Sequence, residues 1–171
     1  MSLHPEVNKK DHIKGDSSAN LEIVEFGDFQ CGHCGAAHPV VEKIIKEFGN
    51  QVTFVFRNFP LSEMHENARE AAKAAEAAAI QGKYWEMHNS IFENQENLQS
   101  NDFIAHAEKL GLDIDKFKND MELTSIAEKI DTDFESGIRS GVNGTPSFFV
   151  NGNKFDGDAA NLLAVIEGSV A

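Results

Sequence analysis

The chain has 171 residues, 41% of them hydrophobic, enough for one well-buried core and short for two. A formal net charge of -13 repels phosphate backbones and anionic lipid surfaces, so nucleic acid is not an expected partner and the charge reads as a solvated surface. No stretch approaches the ~20 apolar residues of a membrane span, and Met1 to Asn20 lack the apolar run of a secretory signal. The expectation is no membrane insertion and a cytoplasmic location for the chain as it stands. A periplasmic protein whose signal has been removed is the other reading. The two cysteines, Cys31 and Cys34, close too short a loop to staple a fold, which leaves chemistry or a metal as their purpose.

Leu21 to Phe26 is rich in β-branched and apolar residues and predicts a strand, ended by Gly27-Asp28 and followed at once by Cys31-Gly32-His33-Cys34. From Gly35 the period becomes helical through Ala37, Val41, Ile44 and Phe48, with Gly49-Asn50 as the stop and Pro39 as a bend inside. The cysteines therefore sit where a strand hands over to a helix. Val52 to Phe56 predicts a second strand, completing a β-α-β unit whose crossover is right-handed and whose strands are parallel.

From about Ser62 to Ser140 no strand pattern occurs, and the segment reads as helices with short punctuation. Ala68 to Ile80 is alanine-rich and stops at Gly82. Tyr84, Met87, His88, Ile91 and Phe92 form one apolar stripe, and Phe103, Ile104, Ala107 and Leu110 another. Ile126, Ile130, Phe134 and Ile138 predict a third face stopped by Gly141, and all three stripes read as core. Strand signals return at Ser147 to Val150, with Asn151-Gly152 as a hairpin turn before Asn153 to Phe155. A last helix is predicted from an Asp158 N-cap, with Leu162, Leu163, Val165 and Ile166 inward.

A cysteine pair on the opening turn of a helix has a physical purpose. Unpaired amides of that turn and the positive end of the helix dipole stabilise a thiolate on the first cysteine. Cys31 is expected to ionise in the range of about 3.5 to 7.5 and to be the attacking sulfur. Cys34, one turn on and less exposed, suits the resolving role. His33, unless it is simply a surface residue of the turn, favours the Cys31 thiolate further and shifts the pair toward oxidising behaviour.

At these residues the chain resembles the DsbA-like thiol-disulfide oxidoreductases of the thioredoxin superfamily. Carrying the resemblance are Asp11 to Gly15, Glu25-Phe26-Gly27-Asp28-Phe29-Gln30-Cys31, Arg57 to Leu61, Gly82 to His88 and Gly141 to Pro146. It implies an α/β chain with a thioredoxin fold, a central mixed sheet flanked by helices. A helical insertion then separates the βαβ and ββα halves. One domain over 1–171 is implied, with the thioredoxin-like module at 12–61 and 141–171 and the insertion at 62–140. It also implies that the Thr145-Pro146 peptide is cis beside Cys31, where the Thr145 backbone and Gly32 meet an extended substrate peptide. A trans proline opening an edge strand is the competing reading. Glu25 corresponds to a buried acid beneath the second cysteine, able to take the Cys34 proton, against a solvated strand-end glutamate. Two positions depart from the better-known periplasmic oxidase of the family: Gly32-His33 stands where it has Pro-His, and Thr145 where it has valine.

The expected function is thiol-disulfide exchange with protein or small-molecule thiols, recharged by an unidentified redox partner and needing no metal or organic cofactor. The alternative is a zinc module built on Cys31, Cys34, His33 and His38, but no second pair of ligands completes a four-ligand shell. His4, His12, His38, His65, His88 and His106 show no ligand spacing and read as surface or core residues.

Overall fold

The computed structural model describes residues 1–170. The predicted strands are β2 (Leu21–Gly27), β3 (Val52–Asn58), β4 (Ser147–Val150) and β5 (Asn153–Phe155), preceded by a strand not anticipated, β1 (His12–Gly15). They form one sheet in the order β1-β3-β2-β4-β5. β2 runs parallel to β3, with Glu25 beside Phe56 and Gly27 beside Asn58, while β1, β4 and β5 pair antiparallel to their neighbours. This is the mixed sheet flanked by helices that the resemblance implies.

Alternation along the central strands divides the core into two layers. Ile23, Phe54, Phe56 and Phe148 pack with the helices on one face. Val24, Phe26, Val55 and Phe149 face the other way, where Leu3, Phe59 and Val142 join them. Strands buried on both faces read as continuous apolar runs, which is why β2 and β3 are plain in the sequence. β1 is short and half-exposed, with a basic and a glycine residue among its four, and only its pairing with Phe56 to Thr53 reveals it.

Helix α1 (Gly32–Phe48) leaves the C-terminal end of β2 and contains Pro39. Five helices lie between β3 and β4: α2 (Ala68–Ile80), α3 (Tyr84–Phe92), α4 (Ser100–Lys109), α5 (Ile114–Met121) and α6 (Thr124–Arg139). A row of buried alanines lets α2 approach its neighbours closely. The Asn151-Gly152 turn has positive φ at both residues, as a tight hairpin requires. Asp158 accepts the Asn161 amide at 2.8 Å as α7 (Ala159–Val170) begins. Two core expectations are corrected: Ile138 and Val165 are 56% and 53% exposed, because their helices turn those positions to solvent as the buried stripe drifts around the axis.

Candidate active site

The turn between β2 and α1 builds the site. Asp28 is buried, and its carboxylate accepts from the amides of Gln30 at 2.7 Å and Leu61 at 2.9 Å, and pairs with His65 Nδ1 at 2.8 Å. Its carbonyl accepts the Cys31 amide at 3.1 Å. Asp28 thus ties this turn to the loop that carries Leu61 and His65, and its carbonyl fixes the residue at which the helix starts. Cys31 is the N-cap residue with extended backbone, φ -69 and ψ 123, so its side chain lies beside the opening turn, which lacks acidic residues. Helix α1 starts at Gly32, so the cysteine pair straddles the boundary.

Cys31 is held as a thiolate with a pKa lowered to about 5. The Cys34 thiol donates to it, which has the largest effect, and burial works against this. Thr145 and the amides of Cys34 and His33 contribute further stabilisation. The two sulfurs therefore lie within hydrogen-bonding reach, with no disulfide between them. Cys34 is fully buried, and its pKa is pushed far above the ordinary thiol range by its bond to Cys31, by burial and by the nearby charge of Glu25. Glu25, 3% exposed on β2, is pushed up to about 8, by burial first and then by the negative charge of Cys31.

The Thr145-Pro146 peptide is cis, and β4 pairs with β2 so that the loop before it reaches the cysteines. The Thr145 carbonyl lies 3.6 Å from Cys31 Sγ, within reach of the S–H of the neutral thiol. Its hydroxyl is buried with no other partner among the described residues, free to turn toward a thiolate. A cleft of about 410 Å³ lies beside the Thr145-Pro146 peptide, lined by His33, Ala36, Val40, Thr145, Pro146 and Ala159.

Cys31, Cys34, Glu25, Thr145 and Pro146 are thus brought together. Gly32 is exposed with open space around it, and His33 is exposed at the cleft rim. The His33 ring makes no hydrogen bond among the described residues; its backbone amide is what acts on Cys31. His38 is buried against Phe92, with ring centroids 5.4 Å apart, and among the described residues no three His, Cys, Asp or Glu side chains converge to hold an ion. Asp28, His65 and Gln95 were not singled out from sequence, since only the folded chain shows that distant loops meet this turn.

The family model described as Thioredoxin matches residues 7–167. Among curated proteins, the chain is 40% identical over 148 residues to a Na(+)/H(+) antiporter NhaA 1 of Salinispora arenicola, a match covering 86% of this chain and 22% of the antiporter. The chain therefore spans under a quarter of that relative's length, and among the described residues no helix is long and apolar enough to cross a membrane. A thioredoxin-like oxidoreductase from Silicibacter pomeroyi superposes with a TM-score of 0.81 at 26% identity, covering 95% of this chain and 93% of that one. The thiol-disulfide exchange protein alpha-DsbA2 of Wolbachia pipientis gives 0.83 at 21% identity, covering 95% and 88%. A family match that omits only the two ends, joined to this likeness of fold, means that the chain belongs to the thioredoxin family and shares the fold of its DsbA-like members.

Proposed function

We propose that this chain is a thiol-disulfide oxidoreductase that works through Cys31 and Cys34 on protein or peptide thiols. What carries the reading is the asymmetry of the pair: Cys31, 6% exposed beside Thr145, ionises at about 5, while Cys34 is neutral and without solvent access. In reduction of a substrate, the Cys31 thiolate attacks one sulfur of the disulfide and the other leaves as a thiolate. Glu25 takes the Cys34 proton, and the Cys34 sulfur then displaces the substrate's second thiol as the Cys31–Cys34 bond forms. Disulfide donation is the reverse, with Glu25 returning the proton to Cys34. The Thr145 backbone pairs with an extended substrate, Pro146 and the His33 ring border it, and the open space at Gly32 leaves the sulfur approachable.

The favoured net direction is donation. Stabilising the thiolate stabilises the dithiol form, so the disulfide form gives its bond away more readily. Such a donor belongs in an oxidising compartment, which favours the periplasmic reading of location, with a separate redox partner restoring the disulfide. Two variants test the reading. Cys31→Ser abolishes oxidation of a dithiol peptide, and Cys34→Ser accumulates a mixed disulfide at Cys31. An unchanged oxidation rate in Cys31→Ser refutes it.

A further inference from the structure

We propose that Gln95 is a positioning residue for the Cys31 nucleophile, admitted to the active-site turn by the missing side chain of Gly35. Gln95 lies in the turn between α3 and α4, sixty-odd positions along the chain, yet its Nε2 donates to the Phe29 carbonyl at 2.9 Å and to the Cys31 carbonyl at 2.8 Å. Both partners are pure acceptors, so only the NH₂ end of the amide can face them. The Cys31 carbonyl also accepts the Gly35 amide at 3.0 Å, the bond that opens α1. Gln95 therefore adds a second donor to the peptide group that sets the start of the helix.

The approach is sterically exclusive. A Cβ at Gly35 would lie 1.9 Å from Gln95 Oε1 and 2.6 Å from its Cδ, so any other residue at 35 expels the amide. Gln95 is itself held in place. Asn94 Nδ2 donates to the Ser90 carbonyl at 2.8 Å, the Asn97 amide donates to the Asn94 carbonyl at 3.0 Å, and Leu98 is buried behind the turn. An anchored turn thus presents two N–H bonds to the backbone on either side of Gln30. There they offset carbonyl charge next to the thiolate and hold Cys31 where the His33 and Cys34 amides reach its sulfur. The inference rests on the thiol-exchange reading and extends it: α3 and α4 do more than cover the sheet, since the turn they carry holds the nucleophile where the Cys34 thiol and the first-turn amides act on it.

The test is titration of Cys31, by thiolate absorbance and by alkylation rate against pH, in the full chain and in Gln95→Ala, Gln95→Glu, Gly35→Ala and the Gly35→Ala/Gln95→Ala double variant. Losing two hydrogen bonds of ordinary strength raises the Cys31 pKa by about one unit, a tenfold loss of thiolate at a pH well below it. Gln95→Glu keeps the shape and turns a carboxylate on two carbonyls, so its rise is the largest. In the double variant the alanine at 35 has nothing to expel, and the pKa rises no further than in Gln95→Ala alone. Circular dichroism and the urea midpoint confirm which variants are folded, and the isosteric Gln95→Glu serves if Gln95→Ala is not. A folded Gln95→Glu whose Cys31 titrates as in the unaltered chain overturns the inference, as do additive effects of the two alanines. A Cys31 that titrates as an ordinary thiol in the unaltered chain instead overturns the thiol-exchange reading beneath it.

Discussion

The perturbation that tests the site most directly is pH, applied to the reduced and oxidised proteins in parallel. Folding lowers the Cys31 pKa from an ordinary thiol's 9.0 to about 5. Because the folded value is the lower one, the stabilisation is complete above the unfolded thiol's pKa and disappears as pH falls through about 5. At pH 7, two pH units above the folded value, it amounts to about 2.7 kcal/mol at about 1.36 kcal/mol per unit. Solvent around the exposed neighbours Gly32 and His33 screens part of this, leaving about 1 to 2 kcal/mol. Only the reduced form has this thiolate, whereas the burial that raises Glu25 acts in both forms and largely cancels from the difference. Urea unfolding of the two forms should show the reduced protein gaining about 1 to 2 kcal/mol on the oxidised one between pH 5 and pH 7. Equilibration with glutathione at pH 7 should show a pair about 20 to 45 mV more oxidising than one with an ordinary thiol at position 31. A difference between the two forms that stays flat from pH 5 to pH 8 refutes the thiolate and the mechanism built on it.

Glu25→Gln should separate stability from catalysis. Folding raises the Glu25 pKa from 4.5 to about 8, so the carboxyl costs stability increasingly as pH climbs between those values, up to about 4 kcal/mol at pH 8. The variant should gain on the unaltered protein as pH rises while resolution of the mixed disulfide slows about tenfold or more, and a gain independent of pH would count against it. Thr145→Val removes the one side-chain hydroxyl set against Cys31 and should raise that cysteine's pKa by about one unit, read from thiolate absorbance. Arg57→Met should cost about 3 to 5 kcal/mol, because it strands the Asp11 carboxylate that Arg57 Nε and Nη2 now bond at 2.9 Å and 2.8 Å. Urea unfolding measures this loss, and a change below about 1 kcal/mol would show the pair to be unimportant for folding.

Local patterns made most of this fold readable. The central strands announce themselves because they are buried on both faces, α2 because its many alanines favour a helix, and the last hairpin because Asn151-Gly152 adopts the positive φ that such a turn needs. β1 is not legible, since a four-residue edge strand has no periodicity to show, and α5 escapes because Ile114, Phe117 and Met121 make an apolar face only eight residues long. At the site, Cys31 and Cys34 are legible from spacing and context, and Glu25, Thr145 and Pro146 from the resemblance to the DsbA-like family. Asp28, His65 and Gln95 were not. Their roles are hydrogen bonds to backbone groups of another segment, and any polar residue in a loop looks the same until the chain has folded.

Two cysteines one helical turn apart would be interchangeable if their surroundings were alike, and the division of labour comes from how sharply the surroundings differ. At the helix start, Cys31 collects the amides of the first turn, the Cys34 thiol and Thr145, all favouring its charged form. One turn on, Cys34 has lost access to solvent and lies near a carboxylate, so a second negative charge there is strongly opposed. Glu25 is pushed up to about 8, by burial first and then by the negative charge of Cys31, which places it where it can exchange a proton near neutral pH. Once Cys31 enters a mixed disulfide, the thiolate charge is gone, and with it the main bond and part of the repulsion that kept Cys34 and Glu25 protonated. In the proposed exchange, capture of a substrate therefore lowers the barrier to the resolving step, and the pair proceeds from attack to release without an outside signal.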